Sequence, residues 1–297
     1  MQFHIHLGAH KTATTFVQRT LRENGPALKA AGIAAPELVA LRKRFTARFD
    51  RVMRGGRLAA RLFDAALRRD LAALLPSAPG IDRTILSDEN FVGVLGANTR
   101  GRGLYPDAGA RARVLAGLVG QGNVHWFLAI RDYADFTTSA YLQAASHRAA
   151  PDFDAYVEAV HRGQRGWADI VEELVRLSGP DRVTVWTYER FRAEPHAIFD
   201  VLAPGAELAL AEAEDAPAVN TSLTVKGLKV MQRLEGHLTP SELNHMGKLM
   251  KRFPFEAPNP RLTITDADLL AKLGARYQAD RARIRATGCR FLDVEGT

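Results

Sequence analysis

Short apolar runs separated by much longer helical stretches constrain this chain most. The clearest run is Val124–Ile130, VHWFLAI, closed by Arg131. Phe3–Leu7, Arg83–Ser87 and Arg182–Tyr188 are runs of the same kind. Between them, apolar residues recur at helical spacing. This holds for Thr14–Arg22, for residues 37–75 with a break at Gly55-Gly56, for Ala110–Val119, and for segments beyond Arg131 up to Leu177. Pro195–Leu202 reads as a further helix. Strands joined through helices need crossover connections, and these predict a mostly parallel sheet of about four to five strands, flanked by helices, in an α/β fold.

The 297 residues, 46% of them hydrophobic, suffice for one large core. No internal repeat, low-complexity linker or composition break divides the chain. A single domain over 1–297 is expected, with a basic helical insertion at 36–80 and a mainly helical C-terminal part at 221–297. No apolar run reaches the roughly 18 residues a membrane span needs. His4, His6 and His10 interrupt any signal-peptide core, so a cytoplasmic location is expected. Cys289 is the sole cysteine, which rules out an internal disulfide and thiol-cluster zinc sites.

The net charge of +7 is uneven. Residues 42–69 hold ten Lys or Arg against two acids, a surplus of eight. Such a field attracts anions. It reads either as a solvated helical face or as a surface for an anionic cofactor or acceptor. The run has no aromatic interleaving and no nucleic-acid motif, so nucleic acid is not the expected partner.

The chain begins HIHLGAHKTATT, His4 to Thr15. His-x-His at a strand end places two imidazoles on one face. A metal site would need further ligands at later strand ends. His125 lies inside a strand, and the other histidines fall in helices or loops, so His4 and His6 read as packed residues and no metal is expected. The second reading is a phosphate loop. A strand, a short loop with glycine and hydroxyls, then a helix aims backbone N–H groups and a helix dipole at an anion. Lys11 adds a charge, and Thr12, Thr14 and Thr15 add hydroxyl donors. Counted from Gly8, an ATPase loop would place glycine at 13 and lysine at 14. Ala13 and Thr14 stand there instead, so the loop is P-loop-like in logic without the ATPase spacing.

FLAIRDYADFTTSAY, Phe127 to Tyr141, supplies a second feature. The strand ends at Arg131, and Ser139 falls in the second turn of a helix starting near Tyr133. Arg131 and Ser139 can meet one phosphate through a charged fork and a hydroxyl. An arginine at a strand end also commonly pairs with a nearby acid. Taken together, the two loops describe two phosphate sites on one three-layer, P-loop-like sheet, as a nucleotide phosphorylated at both ends of its ribose requires.

HLGAHKTATT resembles the 5′-phosphosulfate loop of sulfotransferases, and Arg131 to Ser139 resembles their 3′-phosphate motif, R-x-P-x-x-x-x-x-S. LSDENF (Leu86–Phe91) is similar to the segment that carries a catalytic glutamate. VTVWTYERFRAEP (Val183–Pro195) and VNTSLTVKG (Val219–Gly227) resemble later family segments, in order. The resemblance is to the soluble bacterial group, related to the carbohydrate sulfotransferases of the Golgi. Two positions depart from it: Ala13 replaces a usual glycine, and Tyr133 a usual proline.

The resemblance implies 3′-phosphoadenosine 5′-phosphosulfate as donor, no metal, and a hydroxyl or amine acceptor, either a small molecule or a glycan. His10 through Thr15, together with Arg131 and Ser139, would hold the donor. Lys11 would stabilise the leaving phosphate oxygen, and Glu89 would act as base, with Asp88 as its rival. His10 either touches the sulfonate or acceptor or is a spacer. Two other readings stand beside this one: a P-loop kinase or ATPase with Asp88 and Glu89 on Mg²⁺, and a non-enzymatic polyanion-binding protein using residues 42–69.

Overall fold

A computed structural model describes residues 1–76, 78–146, 152–210, 223–234, 236–250 and 262–294. The start of the segment Val219–Gly227 lies outside them, as do Ser77 in the 36–80 region and 251–261 in the C-terminal part.

The chain opens with β1 (Gln2–His6), α1 (Thr14–Glu23), α2 (Gly25–Ala30) and β2 (Ile33–Ala34). Next come α3 (Leu38–Leu41), a π-helical turn at Arg42–Thr46, α4 (Ala47–Arg54), α5 (Gly56–Leu62) and α6 (Asp64–Ala72). β3 (Arg83–Ser87), α7 (Ala108–Val119), β4 (Val124–Ile130), α8 (Tyr133–Ala145), α9 (Phe153–His161) and α10 (Trp167–Ser178) follow. After β5 (Val183–Thr187) come α11 (Tyr188–Ala193), α12 (Pro195–Leu202), α13 (Val225–Leu234), α14 (Pro240–Met250), α15 (Ala267–Ala286) and β6 (Arg290–Leu292).

The six strands form one sheet in the order β2-β3-β1-β4-β5-β6, and every pairing is parallel. Among the described residues the sheet has six strands, against the four to five expected. β2 and β6 have two and three residues, too few to display a period-2 pattern. The strand residues alternate between the two faces. Trp126, Leu128, Ile130, Val183 and Val185 join one core cluster, which also holds Leu115, Phe136, Ile170 and Ile284 from the helices. Ile85, Phe127, Ala129 and Trp186 join the other, against Val17, Leu21, Ile198 and Leu202. Each fully buried side chain of this size contributes about 1.5–3 kcal/mol of transfer free energy.

The basic segment is not a detached appendage. Leu41, Phe45, Phe49 and Val52 are buried in the first cluster. Phe45 and Phe49 meet Phe91 at ring distances of 6.1 and 6.2 Å. Its apolar stripe therefore anchors beside the β3 end.

Candidate functional site

The chain runs from β1 to β2 and β3 on one side of the sheet, then crosses to β4 on the other. The order therefore switches beside β1, where open α/β sheets leave a crevice at the carboxyl ends of the strands. Both phosphate-loop candidates, Lys11 to Thr15 and Arg131, follow the two strands at that switch.

Between β1 and α1 the backbone takes three left-handed turns, at Gly8 (φ 44), Lys11 (φ 67) and Ala13 (φ 64). Gly8 has no alternative: a Cβ there would stand 2.8 Å from the Thr14 methyl and 3.1 Å from the His6 ring. Ala13 does need positive φ, so alanine is strained where glycine would be relaxed. The hydroxyls of Thr12 and Thr14 both donate to the Ala9 carbonyl, at 2.6 and 3.2 Å. They brace the loop inward, and Thr15 stays exposed. Ala13 caps α1 with no side-chain hydrogen bond, and the first turn holds no acid. The positive end of this ten-residue helix therefore carries no capping side chain and no first-turn carboxylate.

Arg131 joins the two loops. Its Nη1 donates to the Lys11 carbonyl at 2.9 Å, and its guanidinium lies 4.4 Å over the Tyr188 ring. Its Nη2 reaches Asp135 at 3.1 Å, the nearby acid a strand-end arginine commonly finds. Asp135 is 67% exposed, so this pair is weak. Arg131 Nε is buried with no hydrogen-bond partner among the described residues. α8 begins at Tyr133, as expected. Asp132 caps it by accepting from the Ala134 and Asp135 amides, which starts the helix without the usual proline. Asp135 and Ser139 are one turn apart, so Ser139 shares the helix face Arg131 reaches, and it is half-buried.

Asp88 and Glu89 divide sharply. Asp88 is fully buried and accepts from Arg42 Nε and Nη2 and from the Asn90 amide. Glu89 is 22% exposed, with Oε1 2.7 Å from Arg42 Nη2 and Oε2 3.3 Å from Gln18 Nε2. Burial pushes the Glu89 carboxyl up, but Arg42, His10 and its hydrogen bonds outweigh this and hold it below the usual carboxylate range. Burial lowers the Arg42 guanidinium, and the two acids more than reverse that. His10 is buried, which pushes it down to about 4 against the pull of Glu89 and Asp88. It is neutral at pH 7, and its backbone amide and Nδ1 both meet the Tyr105 hydroxyl at 3.1 Å. His10 is therefore a fixed member of this cluster.

His4 and His6 are packed residues. His4 Nδ1 bonds the Leu202 carbonyl at 2.7 Å, and His6 Nδ1 bonds Ser87 Oγ at 2.8 Å. His6 also stacks on Trp186, with ring centroids 5.4 Å apart. Among the described residues no three His, Cys, Asp or Glu side chains gather as a metal site. Sequence reasoning missed Arg42, Tyr105 and Gln18, which touch Glu89 or His10 from distant segments and carry no local motif. Tyr188 lay inside a noted segment, but its stacking on Arg131 carries no sequence signal.

Comparison with protein-family models finds no match, and comparison with curated proteins finds none either. Among solved structures, the chain is similar in fold to a sulfotransferase from Alicyclobacillus acidocaldarius. The TM-score is 0.51 with 13% identity, over 98% of this chain and 96% of that one. At that identity the likeness is one of architecture, held over nearly the whole of both chains.

Proposed function

We propose that the chain is a sulfotransferase that moves a sulfonate group from 3′-phosphoadenosine 5′-phosphosulfate to a hydroxyl or amine acceptor, small molecule or glycan. The observation that carries this reading is the pairing of two anion-receptive features on adjacent strand ends, locked together by Arg131 and the Lys11 carbonyl. The residues fit such a donor: the α1 terminus has no side-chain cap, and Arg131 has a buried, unpartnered Nε. The full-length likeness to a sulfotransferase supports the same reading.

When bound, the donor supplies an electrophilic sulfur and a phosphate leaving group. Lys11 and the amides opening α1 would hold the 5′ side, where negative charge grows as the sulfur–oxygen bond breaks. Arg131 and Ser139 would hold the 3′-phosphate and fix register. Glu89, kept ionised by Arg42, would take the acceptor's proton as its oxygen or nitrogen bonds to sulfur. Asp88 is fully buried in the Arg42 fork and caps a turn, whereas Glu89 is partly exposed, which favours Glu89 over Asp88 for the role of base. The same commitment disfavours a kinase that would place Asp88 on Mg²⁺.

Two assays test the reading. Adenosine 3′,5′-bisphosphate should raise the melting temperature without Mg²⁺, and Mg-ATP should not. A radiolabelled sulfonate-transfer screen over glycans, glycolipids, phenols and amines should find an acceptor labelled by the native chain and not by Glu89→Gln. Stabilisation by Mg-ATP alone would defeat the reading.

A further inference from the structure

Exposed residues of the basic segment include both unneutralised cations and bare apolar side chains. Leu58 and Leu62, one turn apart on α5, are 70% and 72% exposed, and the adjoining Phe63 is 50% exposed. Singly scattered apolar residues are ordinary on a surface. Here three fall on one short helix and its end. The acids nearby are already engaged: Asp50 pairs with Arg111, Asp64 with Arg68, and Asp70 with Arg48. Lys43, Arg44, Arg51, Arg54 and Arg61 are exposed and have no ion-pair partner among the described residues.

Three occupants can be weighed against this chemistry. A second copy of the chain would set the same cations against themselves across a two-fold interface. A nucleic acid would satisfy the arginines and leave the leucines in water. An anionic bilayer satisfies both, because apolar side chains enter the headgroup–acyl boundary while cations sit at the lipid phosphates. We propose that the α4–α5 surface, with Leu58, Leu62 and Phe63 inserted and Arg51, Arg54 and Arg61 at the headgroups, docks the protein peripherally on an anionic phospholipid membrane. No helix among the described residues is long and apolar enough to cross one, so the contact is interfacial. This docking is independent of the reaction proposed above.

The test is co-sedimentation of the full chain with phosphatidylglycerol/phosphatidylcholine vesicles and with phosphatidylcholine vesicles alone. Binding should require the anionic lipid and weaken with salt. Leu58→Ser/Leu62→Ser and Arg51→Gln/Arg54→Gln/Arg61→Gln should each weaken it at least about tenfold, with melting curves like the native one. Phe63→Trp gives a second measurement in an otherwise native chain: its emission should shift to the blue on anionic vesicles. Equal binding to both vesicle types, or none, overturns the proposal. So does emission from the Phe63→Trp chain that stays unshifted on anionic vesicles. Loss of binding with the arginine set alone marks a general polyanion binder and overturns it too. A concentration-dependent dimer in sedimentation velocity that the leucine set abolishes overturns it by assigning the surface to a second copy.

Discussion

Arg131 Nη1 donates to the Lys11 carbonyl across 120 residues of sequence, at 2.9 Å. The bond fixes the loop after β1 to the end of β4, so each loop's geometry depends on the other. Losing a charged hydrogen bond costs about 1.5–3 kcal/mol, or roughly ten- to hundredfold in affinity. Arg131→Ala should therefore weaken adenosine 3′,5′-bisphosphate binding by about that factor in calorimetry, and raise donor KM more than it lowers kcat. Arg131→Lys should not restore it, because an ammonium cannot both donate to the Lys11 carbonyl and stack flat on Tyr188.

Lys11→Ala should act on the other step. If Lys11 stabilises the leaving oxygen, kcat should fall by about a hundredfold or more while donor affinity changes less. An unchanged kcat in steady-state assays would remove the assigned role.

The backbone of the first loop gives a pair of opposite effects. Ala13→Gly relieves a left-handed alanine and should stabilise the fold by about 1 kcal/mol, read as a raised melting temperature. Gly8→Ala should do the reverse and also lose ligand-induced stabilisation, because its Cβ would press on Thr14.

Asp88 and Glu89 should separate in the same experiments. Asp88→Asn leaves part of the Arg42 fork unmatched in a buried site and should cost about 1–3 kcal/mol in denaturant unfolding. Glu89→Gln should lose less stability than Asp88→Asn, because Glu89 is partly exposed, and it should bind adenosine 3′,5′-bisphosphate and not turn over.

Burial holds His4, His6, His125 and His161 down to about 4, below the ordinary value of 6.5. The folded state keeps them neutral where the unfolded chain would protonate them. Their contribution is complete above about 6.5 and is lost as pH falls towards about 4. Thermal melts from pH 7 downward should show stability falling through that window. His6→Gln should reduce the slope by about one proton, since it removes one such group.

The strands β3 and β4, the helix α12 and the start of α8 were legible because each run is long or sharply bounded. Asp88 and Arg131 follow the ends of β3 and β4, Asp132 caps the start of α8, and Pro195 opens α12. The loop from Gly8 to Thr15 was likewise visible as a strand-to-helix junction, though not the left-handed turns at Lys11 and Ala13, which local residue preference disfavours. The edge strands β2 and β6 were invisible, because their extended form comes from the neighbours β3 and β5.

By itself the sequence determined the order of the four longer strands and the helices between them, the two loops at strand ends, and the excess of positive charge at 42–69. Each of these is written in consecutive residues through periodicity, punctuation and charge. Only the tertiary structure decided that Arg42 would bridge buried Asp88 and partly exposed Glu89, that Tyr105 would hold His10, and that Leu58 and Leu62 would face outward. Those outcomes depend on contacts between segments tens of residues apart, and parallel pairing with crossover helices sets them without any local signal.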